Sequence, residues 1–206
     1  MARKKSKVLG LTSAQRPPRP SLRMTGSGDI SAVAGSSALM DMNTSNIASW
    51  VGAVDPTALP VITHVARNFE TYKVNRHALH YTPAVGTTTP GKVWVGYTDN
   101  PEIIYKAVTG AYSQGDLLSI VKTLRHSNVF PVWQSWTMNL PSIAARRKMY
   151  SVDLTVASSA EVVDRTTHGA FLVCLEGTPS ATNVGVVTAS YEYALRGLQS
   201  YQATGI

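Results

Sequence analysis

The chain carries one cysteine, Cys174, and three phenylalanines in 206 residues. A single thiol excludes an intrachain disulfide framework and suits a reducing compartment. Within its apolar run Cys174 reads as a small core residue. No run of about 18 apolar residues occurs, so no membrane-spanning helix and no membrane partner are expected. The basic N-terminus has no apolar stretch behind it and does not read as a signal peptide. Charged residues make up 15%. That is low for a monomer with its whole surface in water, and it points either to a surface covered by other subunits or to one rich in Ser and Thr.

Catalytic signatures are also missing. There is no Gly-rich phosphate loop behind a strand, no His-Glu-x-x-His, no metal-spaced Cys/His cluster and no Gly-x-Ser-x-Gly elbow. The histidines His64, His77, His80, His126 and His168 are scattered. His77 and His80 stand three apart in a strand-like segment and so point to opposite faces, which argues against a shared metal. Cys174 lacks a local nucleophile signature. No catalytic residue is assigned, and the expectation is a protein that is not an enzyme.

Acids are absent from the first 23 residues, where Arg3, Lys4, Lys5, Lys7, Arg16, Arg19 and Arg23 all lie. Of 19 Lys and Arg these seven are set apart, which leaves 12 cations against 12 acids in the remainder. The body is therefore neutral, and the net +7 belongs to the N-terminal segment. Such asymmetry points to a polyanionic partner. Residues 1–27 are rich in Lys, Arg, Pro and Ser, too poor in apolar surface to offset the entropy of ordering, and Arg16-Pro-Pro-Arg-Pro20 favours an extended backbone. They read as a basic arm, disordered unless bound, ahead of a folded domain over 28–206. The seven cations can neutralise phosphates and release counterions without regard to sequence; a targeting signal or solubilising tail is the competing reading.

The body shows short strands. Asp29–Met42 and Ile47–Val54 are candidates, and Arg76–Thr82, Lys92–Thr98, Val132–Leu140, Lys148–Val156, Ala170–Glu176 and Val187–Leu195 follow. Most alternate apolar and polar residues with a period of two, as half-buried strands do. Ile62, Val65, Phe69 and Tyr72 fall at helical spacing after Pro60, which predicts a helix over Pro60–Tyr72. A second helix is predicted over Asp116–Arg125, with Asp116 near its N-cap. About eight strands and two short helices predict an all-β sandwich or jelly roll. The Asp99-Asn-Pro-Glu102 segment could give two oxygen ligands to Ca2+, far short of the six to eight the ion takes; an ordinary polar turn is the alternative. Arg146-Arg147-Lys148 reads as a second basic patch or a solvated turn.

Several motifs occur in a telling order: Ala66-Arg-Asn-Phe-Glu-Thr-Tyr72 with Leu79-His-Tyr-Thr-Pro83, Gly86-Thr-Thr-Thr-Pro-Gly-Lys-Val93, Val132 to Pro141, Gly169–Gly177, and Tyr191-Glu-Tyr-Ala-Leu195. From about Leu59 to Gln199 the chain resembles the shell domain of the icosahedral plant-virus coat proteins of tombusviruses, sobemoviruses and luteovirus-like viruses. The resemblance implies an eight-stranded antiparallel jelly roll. It also implies a T=3-type shell of many copies of the chain, an internal arm on viral single-stranded RNA, and residence in the virion and the host cytoplasm. Family members often hold Ca2+ between subunits with acids after the strand that Lys92–Thr98 matches. Asp99 and Glu102 fall there, although the family more usually has two aspartates. The chain stops soon after Leu195, leaving no room for the protruding domain that many tombusviruses carry. A jelly-roll lectin-type carbohydrate-binding module with a basic tail is the rival from another functional class.

Overall fold

Val187 to Leu195 alternates apolar and polar residues, and the longest strand is built around it. In the computed structural model this strand runs Asn183–Leu198, with Val187, Ala189, Tyr191, Tyr193 and Leu195 buried. The structure describes residues 21–29, 40–43, 49–54, 59–141, 149–152, 159–178 and 183–198. Among them the strands are β1 (Ser21–Asp29), β2 (Met40–Asn43), β3 (Ser49–Ala53), β4 (Phe69–Pro83), β5 (Lys92–Thr98), β6 (His126–Pro131), β7 (Trp136–Asn139), β8 (Tyr150–Ser151), β9 (Ala170–Glu176) and β10 (Asn183–Leu198). The helices are α1 (Pro60–Ala66), α2 (Pro101–Val108), α3 (Gln114–Thr123) and α4 (Ala160–Thr166).

One sheet has the order β1-β10-β4-β7, with β2 also on β10 and β8 also on β4; the other has the order β3-β9-β5-β6. Every pairing is antiparallel. Leaving aside β1 and β8, eight strands divide four and four, and the chain passes between sheets at β2–β3, β3–β4, β4–β5, β6–β7, β7–β9 and β9–β10. This is the expected jelly roll. The main core lies between the sheets, where Tyr72, Leu79, Tyr81 and Tyr193 of the first face Val93, Val95 and Phe171 of the second. Buried tyrosine hydroxyls need partners, and here they find backbone carbonyls. Tyr72 donates to Thr166 O at 2.6 Å, and Tyr81 lies 2.7 Å from both Val132 O and Val184 O.

The four-stranded sheet is buried on its outer face as well. Ile104 of α2, Leu117 and Val121 of α3 and Val163 of α4 form a second cluster with Ala170, Leu172 and Cys174. A strand covered on both faces reads as a continuous apolar run, and Ala170–Leu175 is buried throughout. Burial pushes the Cys174 thiol up to about 12, in keeping with a packing role.

Several expected elements change. The helix over Pro60–Tyr72 ends at Ala66, and Phe69 opens β4. Phe69 and Tyr72 mimic helical spacing but are buried in a strand. The pairing of β4 with β10 shifts between Val74–Tyr193 and Arg76–Glu192, leaving Asn75 as an extra residue. That bulge moves the inward set from Tyr72 and Val74 to His77, Leu79 and Tyr81. The candidate over Asp29–Met42 is instead the end of β1 and the start of β2, with residues 30–39 outside the described set; that over Ile47–Val54 is β3. Val132–Leu140 shortens to β7, and Lys148–Val156 to β8, with residues 142–148 and 153–158 not described. β6 was not anticipated, because an edge strand with Val129 44% exposed has no alternating pattern to show. Four helices replace two. α3 begins earlier than expected, since Ser113 is its N-cap and Asp116 closes a capping box from the third helical position.

His77 lies in the main core, 3% exposed, with Nδ1 2.7 Å from the Tyr193 hydroxyl and its ring stacked on Phe171. Burial, with a smaller contribution from nearby His168, lowers its pKa from 6.5 to about 3. The unfolded chain therefore binds more protons between those values, and stability falls as pH drops through that window. The full loss is on the order of 4 kcal/mol. Urea unfolding of the subunit at neutral pH and near pH 4 is expected to show this fall, and His77→Phe to flatten it.

Candidate nucleic-acid interface

Of the seven cations expected to hold a polyanion, Arg3, Lys4, Lys5, Lys7, Arg16 and Arg19 lie outside the described residues. Arg23 lies within them, and its setting differs from the expected disordered arm: residues 21–29 form β1, paired with Thr188–Arg196 of β10. Met24 packs on the main core, while Leu22 stays 40% exposed. Gly26 lies so close to Tyr191 that a Cβ would stand 2.7 Å from the hydroxyl, which suits glycine at that edge. Two apolar residues in nine gave no strand signal; the strand is held mainly by its ladder. The Arg23 guanidinium meets Glu192 at 2.9 Å with its side chain 68% exposed, and this hydrogen bond helps hold the Glu192 carboxyl below its usual range.

The acid pair sits elsewhere. Asn100 is the N-cap of α2, its side chain accepting from the amides of Glu102 and Ile103 at 3.0 and 3.4 Å, and Pro101 holds the first helical turn. Asp99 and Glu102 therefore flank a helix N-terminus, where carboxylates complement the positive end of the backbone dipoles. Glu102 also pairs with Lys106 at 3.1 Å. The Asn-Pro signal for this helix was present in the sequence and read as a turn. Beside Pro101 an open hollow of about 600 Å3 is lined by Ala160, Glu161, Asp164 and Arg165 of α4. Among the described residues no three His, Cys, Asp or Glu side chains group to hold a metal. Asp99 and Glu102 are thus not joined by a third such side chain among the described residues. The basic run Arg146–Lys148 lies outside the described residues.

On the outer layer Glu176 of β9 accepts from Trp94 Nε1 at 2.6 Å and from Lys122 Nζ at 2.5 Å, and the Lys122 ammonium lies 5.2 Å from the Trp94 ring centroid. These contacts tie α3 to the sheet beneath it and hold the Glu176 carboxyl below its usual range. Large apolar side chains are exposed at two places: Leu22 and Leu198 on β1 and β10, and Val129 and Trp133 around β6. The geometry is that of a β-sandwich with a helical layer on one side, a polar sheet on the other and a basic segment leading into that sheet.

Residues 12–201 match the family described as Viral coat protein (S domain). The chain belongs to that family. It is a coat protein of a virion, a structural protein and not an enzyme, which decides against the carbohydrate-binding reading. Solved coat structures share the fold. The mud crab tombus-like virus structure matches with a TM-score of 0.66 and 16% identity, over 92% of this chain and 95% of that one. The T=3 Penaeus vannamei nodavirus matches at 0.64 and 15%, over 97% and 60%. Cucumber necrosis virus matches at 0.61 and 19%, over 87% and 57%, so the coat protein spans little more than half of that chain. At such identities the likeness is one of fold. No curated protein sequence matches the chain.

The cap on α2 gives a direct check of this local reading. Asn100→Ala removes the acceptor for two amides and is expected to cost about 1 kcal/mol. In a chain of this size that lowers Tm by about 2–4 °C. Calorimetry of the subunit measures it.

Proposed function

We propose that this coat protein self-assembles into a T=3-type icosahedral shell and packages single-stranded RNA through its basic N-terminal arm. The observation that carries the reading is the segregation of charge: seven cations without an acid precede a neutral jelly roll. The arm function is assigned to residues 1–27, of which those from Ser21 onward lie in β1. Arm cations would screen packaged phosphates, an affinity that weakens steeply with salt and ignores sequence. The jelly rolls would bury their exposed apolar residues, Val129 and Trp133 among them, between subunits. The likeness in fold to a T=3 nodavirus particle supports the shell geometry. A single buried thiol suits assembly in the host cytoplasm.

Electron microscopy of the purified full-length protein is expected to show closed shells with nuclease-protected RNA; small soluble oligomers would overturn the reading. Replacing Arg3, Lys4, Lys5 and Lys7 with Gln is expected to cut the protected RNA per subunit. It should also make the salt dependence of RNA binding shallower by about 3 in log–log slope.

Ca2+ enters the same proposal as an ion shared between subunits. Asp99 and Glu102 would supply part of its oxygen shell and a neighbouring copy the remainder, since the ion takes about six to eight oxygens. Chelation is then expected to swell the particles, read as slower sedimentation, and Asp99→Asn to reproduce the change without chelator. Particles indifferent to both would exclude the ion from this place.

A further inference from the structure

We infer that the solvent face of the six-stranded sheet is a second RNA-contacting surface, which grips the phosphate backbone beside the arm. The inference rests on the packaging role proposed above. Residues directly opposite one another on paired strands share a face, so the registers give that face row by row. Ser21 of β1, Arg196 of β10 and Thr71 of β4 form one row. Arg23, Ala194 and Lys73 form the next, and Thr25, Glu192 and Arg76 the one after. Side-chain contacts agree with the registers: Arg23 reaches Glu192, and His80 bonds Thr137 and Ser190 on the same side.

Four cations, Arg23, Lys73, Arg76 and Arg196, therefore stand on three successive rows, within about 14 Å along the strands. Arg23, Arg76 and Arg196 are exposed and Lys73 half-exposed. Two acids lie by them: Glu192 of the third row already bonds Arg23, and exposed Glu70 of β4 lies against Gly197 beside Arg196. By register Asp29, opposite Thr188, and Asp41, opposite Val186, stand on the same face but beyond these rows. Between Arg23 and Lys73 stands the small Ala194. Neither hydrophobic cluster of the described residues lies on this face, whereas the outer face of the other sheet is packed under α2, α3 and α4.

These rows are thus locally positive, four cations against the two acids Glu192 and Glu70, although the face as a whole is near neutral. The arm runs directly into them, because Arg23 belongs to both. The occupant that fits is a single-stranded polyanion held without base readout. The face offers guanidinium, ammonium and hydroxyl donors to phosphate and sugar, and no aromatic side chain for base stacking stands on these rows.

The test uses the full-length chain, dissociated into subunits and titrated with a homopolymeric single-stranded RNA across a salt series. Lys73→Gln, Arg76→Gln and Arg196→Gln combined are expected to make the log–log salt slope shallower by about 2, and Lys73→Gln or Arg196→Gln alone by about 0.7. Lys92→Gln, Lys106→Gln and Arg125→Gln combined, on the helical side, are expected to leave the slope unchanged. An unchanged slope in the sheet variants, or an equal drop in the helical-side variant, overturns the inference. So does loss of shell assembly with RNA affinity intact, which would make the face a contact between subunits. The single substitutions give the answer even where the triple variant does not fold. The arm variants respond independently, so failure here leaves the packaging reading standing.

Discussion

The backbone ladder of β10 is the constraint on which the described structure depends. Over 16 residues it uses both edges. One edge is taken by β4 nearly end to end, and the other is divided between β2 and β1. A strand hydrogen-bonded on both sides has its register specified twice, and a slip of one residue would turn every inward side chain outward. Tyr191, Tyr193 and Leu195 are therefore fixed in the core at the same time as Glu192 and Arg196 are fixed outside. The division of the second edge has a further effect. β1, which contributes little apolar contact, completes a sheet whose interior is already closed by β2, β4 and β7.

Around that ladder the interior solves a problem of polar groups. The sandwich buries tyrosines in number, and each hydroxyl must find an acceptor where water is excluded. Backbone carbonyls serve two of them, Thr166 at the end of α4 for Tyr72 and Val132 between β6 and β7 for Tyr81, while His77 meets the hydroxyl of Tyr193. On the far side the helices α2, α3 and α4 close over β9 and β5, so that one sheet is dry on both faces and the other wet on one.

The sequence made these parts legible to different degrees, for physical reasons. β5 and β9 were read with their exact ends, and the heart of β10 was clear, because each carries either strict alternation or an unbroken apolar run. β6 was silent, since an exposed edge strand has no buried side to print a period. β1 was silent for a related reason: its ladder involves backbone groups that every sequence possesses. The helix expected through Tyr72 failed because Ile62, Val65, Phe69 and Tyr72 satisfy a helical period by accident of a helix running into a bulged strand. For the site, the charge count isolated the arm, but a count over the whole body does not show which cations share a row. Only the registers, which sequence does not provide, separate Arg76 and Arg196 from Glu102 and Glu161.

The extra residue at Asn75 sets the phase of everything that follows it in β4. It places the two halves of the strand in opposite phase, so that Tyr72 and Val74 before it and His77, Leu79 and Tyr81 after it all lie buried. Loss of that one residue would turn the second half around, bringing Leu79 and Tyr81 to the solvent face and carrying His80 into the core.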